Sequence, residues 1–197
     1  MKSWSKLRIT LLVMLLLALA VVAGRVGIGS RNGASGALRK AAGSFKHHDR
    51  FAAGIKGCDR IALFEGLPHP HWENELLDSE RRSKKTTEIA GSFFYEEALP
   101  LNQADAHRLK ELYCNQTSFT PLVGMKACGG FHPDYCIEWS DVRERYLVQI
   151  CFGCHEMKTF FNGKELYCDI GQQAYDEFEK ILTKYRKNRP AQRSSSD

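Results

Sequence analysis

Residues Cys151-Phe152-Gly153-Cys154-His155 place two thiols three positions apart with an imidazole directly after the second. That is the pattern of c-type haem attachment, in which the thiols take the vinyl groups and the histidine takes the iron. A second run, Cys128-Gly129-Gly130-Phe131-His132-Pro133-Asp134-Tyr135-Cys136, adds two thiols and an imidazole. Cys128, His132, Cys136, Cys151 and Cys154 together hold enough soft donors for a four-ligand zinc site or a thiol-redox centre. The eight-residue gap between Cys128 and Cys136 is not a knuckle spacing, and neither haem nor zinc is favoured over no cofactor. Disulfides compete for the same sulfurs, with Cys114, Cys128, Cys136 and Cys168 as candidates, and seven cysteines leave at least one unpaired.

The backbone decides between these chemistries. Arg145–Phe161 reads as one strand, with Tyr146, Val148, Ile150, Phe152 and Cys154 on one side and Leu147, Gln149, Cys151, Gly153 and His155 on the other. In that form Cys151 and His155 stand roughly 13 Å apart at about 3.3 Å per residue, and the two cysteines face opposite ways. Haem attachment requires a local turn or helix here, which Gly153 is able to supply. The strand reading is preferred, and the cysteines are then buried strand residues. Adjacency alone does not make Cys154 and His155 a nucleophile and base, because neighbouring strand side chains diverge. Glu65, His69, His71, His132, Asp134 and Glu138 are polar residues in turn-rich or apolar settings, and an ordinary surface-turn role is the preferred reading over acid–base work. The chain is expected to be non-catalytic. Asn115-Gln116-Thr117 is a glycosylation sequon, meaningful only where that machinery exists.

The elements that position these residues follow from period and punctuation. Arg60–Glu65 is a strand candidate closed by Gly66-Leu67-Pro68. Trp72, Leu76 and Leu77 recur at helical spacing ahead of a charge run, Glu80–Lys85, read as solvated. Ser92–Leu99 is an aromatic-rich strand candidate. Asn102 and Asp105 form an N-terminal cap for a helix running to about Tyr113. Cys136–Ser140, Arg145–Phe161 and Glu165–Asp169 follow as strands, with Asn162-Gly163 as a hairpin turn. Ala174, Phe178, Ile181, Leu182 and Tyr185 mark one face of a terminal helix. The expected fold is α+β: an antiparallel sheet with helices packed on one face.

At the N-terminus, Lys2, Lys6 and Arg8 precede an apolar run from Ile9 to Ala23, the order of an export signal or signal anchor. The expected organisation is a signal or anchor at 1–23, a flexible basic linker at 24–57, a globular domain at 58–186 and a disordered tail at 187–197. The domain then sits in the cell envelope on the extracytoplasmic side, held to the membrane by its N-terminal segment, or is secreted if that segment is cleaved. Residues 1–57 hold ten Lys or Arg against Asp49, a balance of +9 within the net +5, which leaves −4 for residues 58–197. A mildly acidic domain argues against a nucleic-acid partner.

Three stretches resemble a family of uncharacterised bacterial proteins: Phe64-Glu65-Gly66-Leu67-Pro68-His69-Pro70, the Cys128–Tyr135 run and Cys151-Phe152-Gly153-Cys154. The resemblance spans roughly residues 58–186. It implies a Cys-Phe-x-Cys strand, a His-containing turn, a glycine turn and the terminal helix, and no transferable reaction. It further implies that position 155 need not be histidine, so that Cys151 and Cys154 matter to the domain independently of haem.

Overall fold

The computed structural model of the chain describes residues 36, 38–124 and 126–190. Ala41 onward forms one compact unit. A 3-10 turn at Phe45–His47 leads into helix α1 (His48–Gly57), strand β1 (Arg60–Glu65), helix α2 (Asn74–Ser83), the hairpin strands β2 (Thr86–Ile89) and β3 (Ser92–Tyr95), and helix α3 (Gln103–Cys114). Strands β4 (Phe119–Pro121), β5 (Tyr135–Ser140), β6 (Arg145–Cys151), β7 (Glu156–Phe161) and β8 (Lys164–Ile170) follow, then helix α4 (Gln172–Leu182). The main sheet has the order β1-β5-β6-β7-β8-β4, antiparallel throughout. Its centre is a meander, and Asn162 and Gly163 take left-handed φ values of 46° and 69° between β7 and β8, as a tight hairpin turn demands.

Period-two alternation sorts the meander's side chains. Ile137 and Trp139 of β5, Val148 and Ile150 of β6, Met157 of β7 and Leu166 and Cys168 of β8 join one buried cluster with residues of α1, α3 and α4. The terminal helix contributes Ala174, Phe178, Ile181 and Leu182, the face its spacing predicts. Helix α3 begins where expected, the Asn102 side chain accepting from the Asp105 amide at 2.8 Å. The architecture is therefore the expected α+β one, with three helices on one face of an antiparallel sheet. On the other face, Ile89 and Phe94 of the β2–β3 hairpin close over Cys136, Phe64 and Leu147.

Four expectations are corrected. Residues 45–57 are not flexible linker: Phe51, Ala52 and Ile55 enter the core, and buried His48 places Nε2 3.1 Å from the Tyr113 carbonyl. The apolar group spans little more than one helical turn, so the surrounding glycines and bases masked it. Arg145–Phe161 is two strands, parted by a turn at Phe152–His155. The charge run is not wholly solvated, because Glu80 lies inside α2, is buried and accepts from the Tyr95 hydroxyl at 2.7 Å. Lys187–Arg189 fold back onto the domain rather than trailing from it. The signal or anchor at 1–23, most of the linker through residue 35, and tail residues 191–197 lie outside the described residues. Among the described residues no helix is long and apolar enough to cross a membrane.

Candidate functional site

Strand β6 ends at Cys151 because the chain reverses immediately: Cys151 pairs with Glu156 across the hairpin, and the His155 amide donates to the Phe152 carbonyl at 3.3 Å. His155 closes the turn with φ 54°, a left-handed conformation uncommon for a side chain of its size. Asp134, just ahead of β5, fixes the turn from outside, its Oδ2 accepting from the Phe152 amide at 2.7 Å. The turn sends its polar groups in different directions. The His155 ring stacks on Tyr175 of α4 at 3.8 Å between centroids. Cys154 points the other way and is bonded to Cys128.

That disulfide anchors the segment between β4 and β5 across the sheet. Lys126 reinforces it, with Nζ bonded to the Cys154 carbonyl and to Asp169 Oδ1 (2.8 Å), and Phe131 packs edge-on against Tyr167 of β8. Gly129 has φ +78°, and a Cβ there would stand 2.9 Å from both His69 Cε1 and Trp72 Nε1. Glycine is what allows this backbone to lie against the His69–Trp72 turn. Burial pushes the Cys151 thiol up to about 11, against the opposing pull of the His132 and Cys154 backbones. Cys151 and Cys154 are each only 3% exposed.

Beside this assembly lies a polar network. Glu65, at the end of β1 and 1% exposed, accepts three consecutive backbone amides from Lys187 (3.1 Å), Asn188 (2.7 Å) and Arg189 (3.0 Å). A buried carboxylate has to be hydrogen-bonded or paired, and a row of amides does this without adding a second buried charge. The Arg189 guanidinium then joins Asp134 Oδ1 (2.6 Å) to Glu73 Oε2 (2.7 Å). Glu73 also accepts from the His69 amide at 2.8 Å. Gly66 makes the approach possible, since a Cβ there would lie 2.1 Å from the Pro133 carbonyl oxygen.

His69 and His132 meet with ring centroids 4.7 Å apart. Desolvation holds His132 down to about 4, against the opposing pull of Asp134, and His69 is lowered for the same main reason. Both rings are therefore neutral near pH 7. His69 Nδ1 accepts from the His71 amide at 3.0 Å, so its proton sits on Nε2, a buried atom with no acceptor among the described residues.

The predicted residues are thus partly brought together. Cys128 and Cys154 are bonded, and Cys151 lies buried at the base of the turn that carries Cys154. Glu65, His69, His132 and Asp134 form the adjoining network. Cys136 lies apart, buried against Ile89 and Phe94, and Glu138 pairs with Arg145. His71 is exposed. The five-residue metal set does not assemble, and among the described residues no three His, Cys, Asp or Glu side chains are arranged to hold a metal ion. The haem reading fails differently. The backbone supplies the turn that porphyrin attachment needs, yet Cys154 is committed to Cys128 and the imidazole is stacked on Tyr175. Of the other suggested disulfide partners, Cys114, Cys136 and Cys168 are free thiols. The sequon residue Asn115 is engaged locally, accepting from the Thr117 hydroxyl at 2.8 Å.

Glu73 and Arg189 were not legible as site residues. Glu73 is one acid in an ordinary turn, and Arg189 stands beside a proline in a polar tail, where no spacing rule applies. Trp72, expected on a helix face with Leu76 and Leu77, lies in the turn ahead of α2, where its indole donates to the Cys128 carbonyl at 3.4 Å while the side chain stays largely exposed.

No family model matches the chain, and neither does any curated protein. Among solved structures, a protein described as "Putative Lipoprotein from Clostridium perfringens" is similar at 11% identity and a TM-score of 0.40, covering 72% of this chain and 94% of its own. A likeness of that size carries no argument about function.

Proposed function

We propose that this chain is an extracytoplasmic domain, tethered to a membrane by its N-terminal segment, that acts by binding a partner at the junction of its three motif loops rather than by catalysis. The observation that carries the reading is the Cys128–Cys154 disulfide, which joins two of those loops. Disulfides of this structural kind persist in oxidising compartments and are rare in reducing ones. The charge-then-apolar order at Lys2–Ala23 supports the same compartment, and the acidic balance of residues 58–197 supports a partner other than nucleic acid. Membership of the bacterial family with the EGLPHP, CGGFHPDYC and CFGCHE motifs belongs to this proposal too. It is supported by the convergence of those stretches around one locus.

The test uses the full chain in cells. Alkylation before and after reduction, followed by peptide mapping, is expected to reveal Cys154 only after reduction. Protease added to spheroplasts is expected to remove the domain while a membrane-bound stub persists. Cys154 alkylated without reduction, or a domain resistant until the cells are lysed, would refute the placement.

A further inference from the structure

We propose that Cys151, Cys154 and Cys128 form a thiol–disulfide exchange site, in which the Cys154 sulfur passes between Cys128 and Cys151 and releases Cys128 as a surface thiol. Three observations converge on it. Cys154 is bonded to Cys128 from a different loop, while its own turn holds a free thiol, Cys151, three residues earlier. Cys151 pairs with Glu156 and the His155 amide donates to the Phe152 carbonyl at 3.3 Å, so the free thiol stands at the base of the same four-residue turn that carries the sulfur it would attack. The turn at Phe152–His155 removes the extended geometry in which Cys151 and Cys154 would face opposite sides of a strand.

The step balances within the chain. Cys151 loses its proton and its sulfur attacks Cys154 Sγ. The Cys154–Cys128 bond breaks as the Cys151–Cys154 bond forms, and Cys128 leaves as a thiolate that takes up a proton. No outside oxidant or reductant is consumed. Exchange proceeds through the thiolate, and burial disfavours that form at Cys151. The process is therefore slow at neutral pH and base-accelerated. Its consequence is local: the segment that carries Cys128 is uncoupled from the hairpin turn, and Cys128, the least buried of the three, becomes available to disulfide-bearing molecules in the surroundings.

The experiment treats purified full-length protein with N-ethylmaleimide at several pH values, then maps tryptic peptides without reduction. In the wild type Cys128 is expected to label while the 146–158 peptide is recovered in its internally linked form. Labelling should accelerate close to tenfold per pH unit between 7 and 9, as thiolate fraction does below a thiol pKa. Cys151→Ser should cut Cys128 labelling at least tenfold. An unlabelled Cys128 in the wild type, or equal labelling in Cys151→Ser, would overturn the proposal while leaving the disulfide and the compartment intact. As a second arm, Cys128→Ser in a glutathione redox buffer should form the Cys151–Cys154 bond. Recovery of those two cysteines separately alkylated or glutathionylated counts against it.

Discussion

The two faces of the sheet are built by different physics. The helix-covered face is apolar, continuous and filled by residues recurring at periods of two and of about 3.6, so each helix and strand announces its own buried side. The motif face holds Gln149, Glu156 and Cys136 beneath a hairpin and a disulfide-bonded loop, and at its border Glu65, in register with core residue Tyr135, lies under the chain's last described residues. Its order comes from specific pairings between distant positions. The Ser92 hydroxyl and the Ile89 carbonyl satisfy the Gln149 amide, the Tyr167 hydroxyl satisfies Glu156, and at the border the tail amides satisfy Glu65. An apolar face tolerates substitution that keeps volume. A polar face of this kind depends on every partner being present, because a single missing one strands a buried charge.

The sharpest break of the apolar side is Phe178→Ala. Phe178 is fully buried in α4 and lies 6.2 Å from Phe119, ring centre to ring centre. Truncation leaves a cavity between helix and sheet and is expected to cost about 3–5 kcal/mol in urea unfolding. Phe178→Leu should recover most of that. The Cys128–Cys154 bond should survive in both variants, which non-reducing mapping checks. Loss of the bond in Phe178→Leu would mean that the two faces are not separable.

On the polar side the corresponding break is Arg189→Met, which keeps the stem and removes the fork between Asp134 and Glu73. The carboxylates are left facing each other with little water, and the expected cost is about 2–4 kcal/mol. Glu73→Gln combined with Arg189→Met should cost less than the two singles added, with a coupling of about 1 kcal/mol or more. Strict additivity would show that Arg189 contributes packing alone. Hydrogen exchange should separate the regions further: Arg189→Met opens amides near Glu65 and Asp134 while those of α4 keep their protection.

The same contrast explains what could be read in advance. Helix α4 and its face, the Asn102 cap and the Asn162-Gly163 turn were legible because each is encoded by neighbours in sequence. The break in Arg145–Phe161 was not, although Gly153 marked it, because Phe152 and Cys154 extend the apolar alternation of Tyr146, Val148 and Ile150 into the turn. What bends the chain there is Asp134, eighteen positions away, which captures the Phe152 amide. The bond from Cys154 to Cys128 rather than to its closer neighbour Cys151 has the same origin, since loop placement and not spacing chooses the partner. Arg189 was the least legible of all. Its role exists only once Glu65 has gathered the tail, and nothing near residue 189 encodes that.

The smallest expected effect separates the faces by pH. His132 packs on His69 and is faced by Asp134, Arg189 and Glu73, and desolvation holds it down to about 4, compared with about 6.5 in the unfolded chain. Above pH 6.5 neither state binds the proton. As pH falls from about 6.5 towards 4 the unfolded chain protonates first, so folded stability declines through that window and levels off below it. Because the ring is incompletely buried, the expected loss is about 1–2 kcal/mol rather than the full value of such a shift. His132→Gln should flatten the urea-midpoint profile across this window and leave the carboxylate-driven fall at lower pH in place. If the wild type and the variant lose stability in parallel between pH 6.5 and 4, His132 is not neutral in the folded protein. The acid sensitivity of the motif face would then belong to Glu65, Glu73 and Asp134 alone.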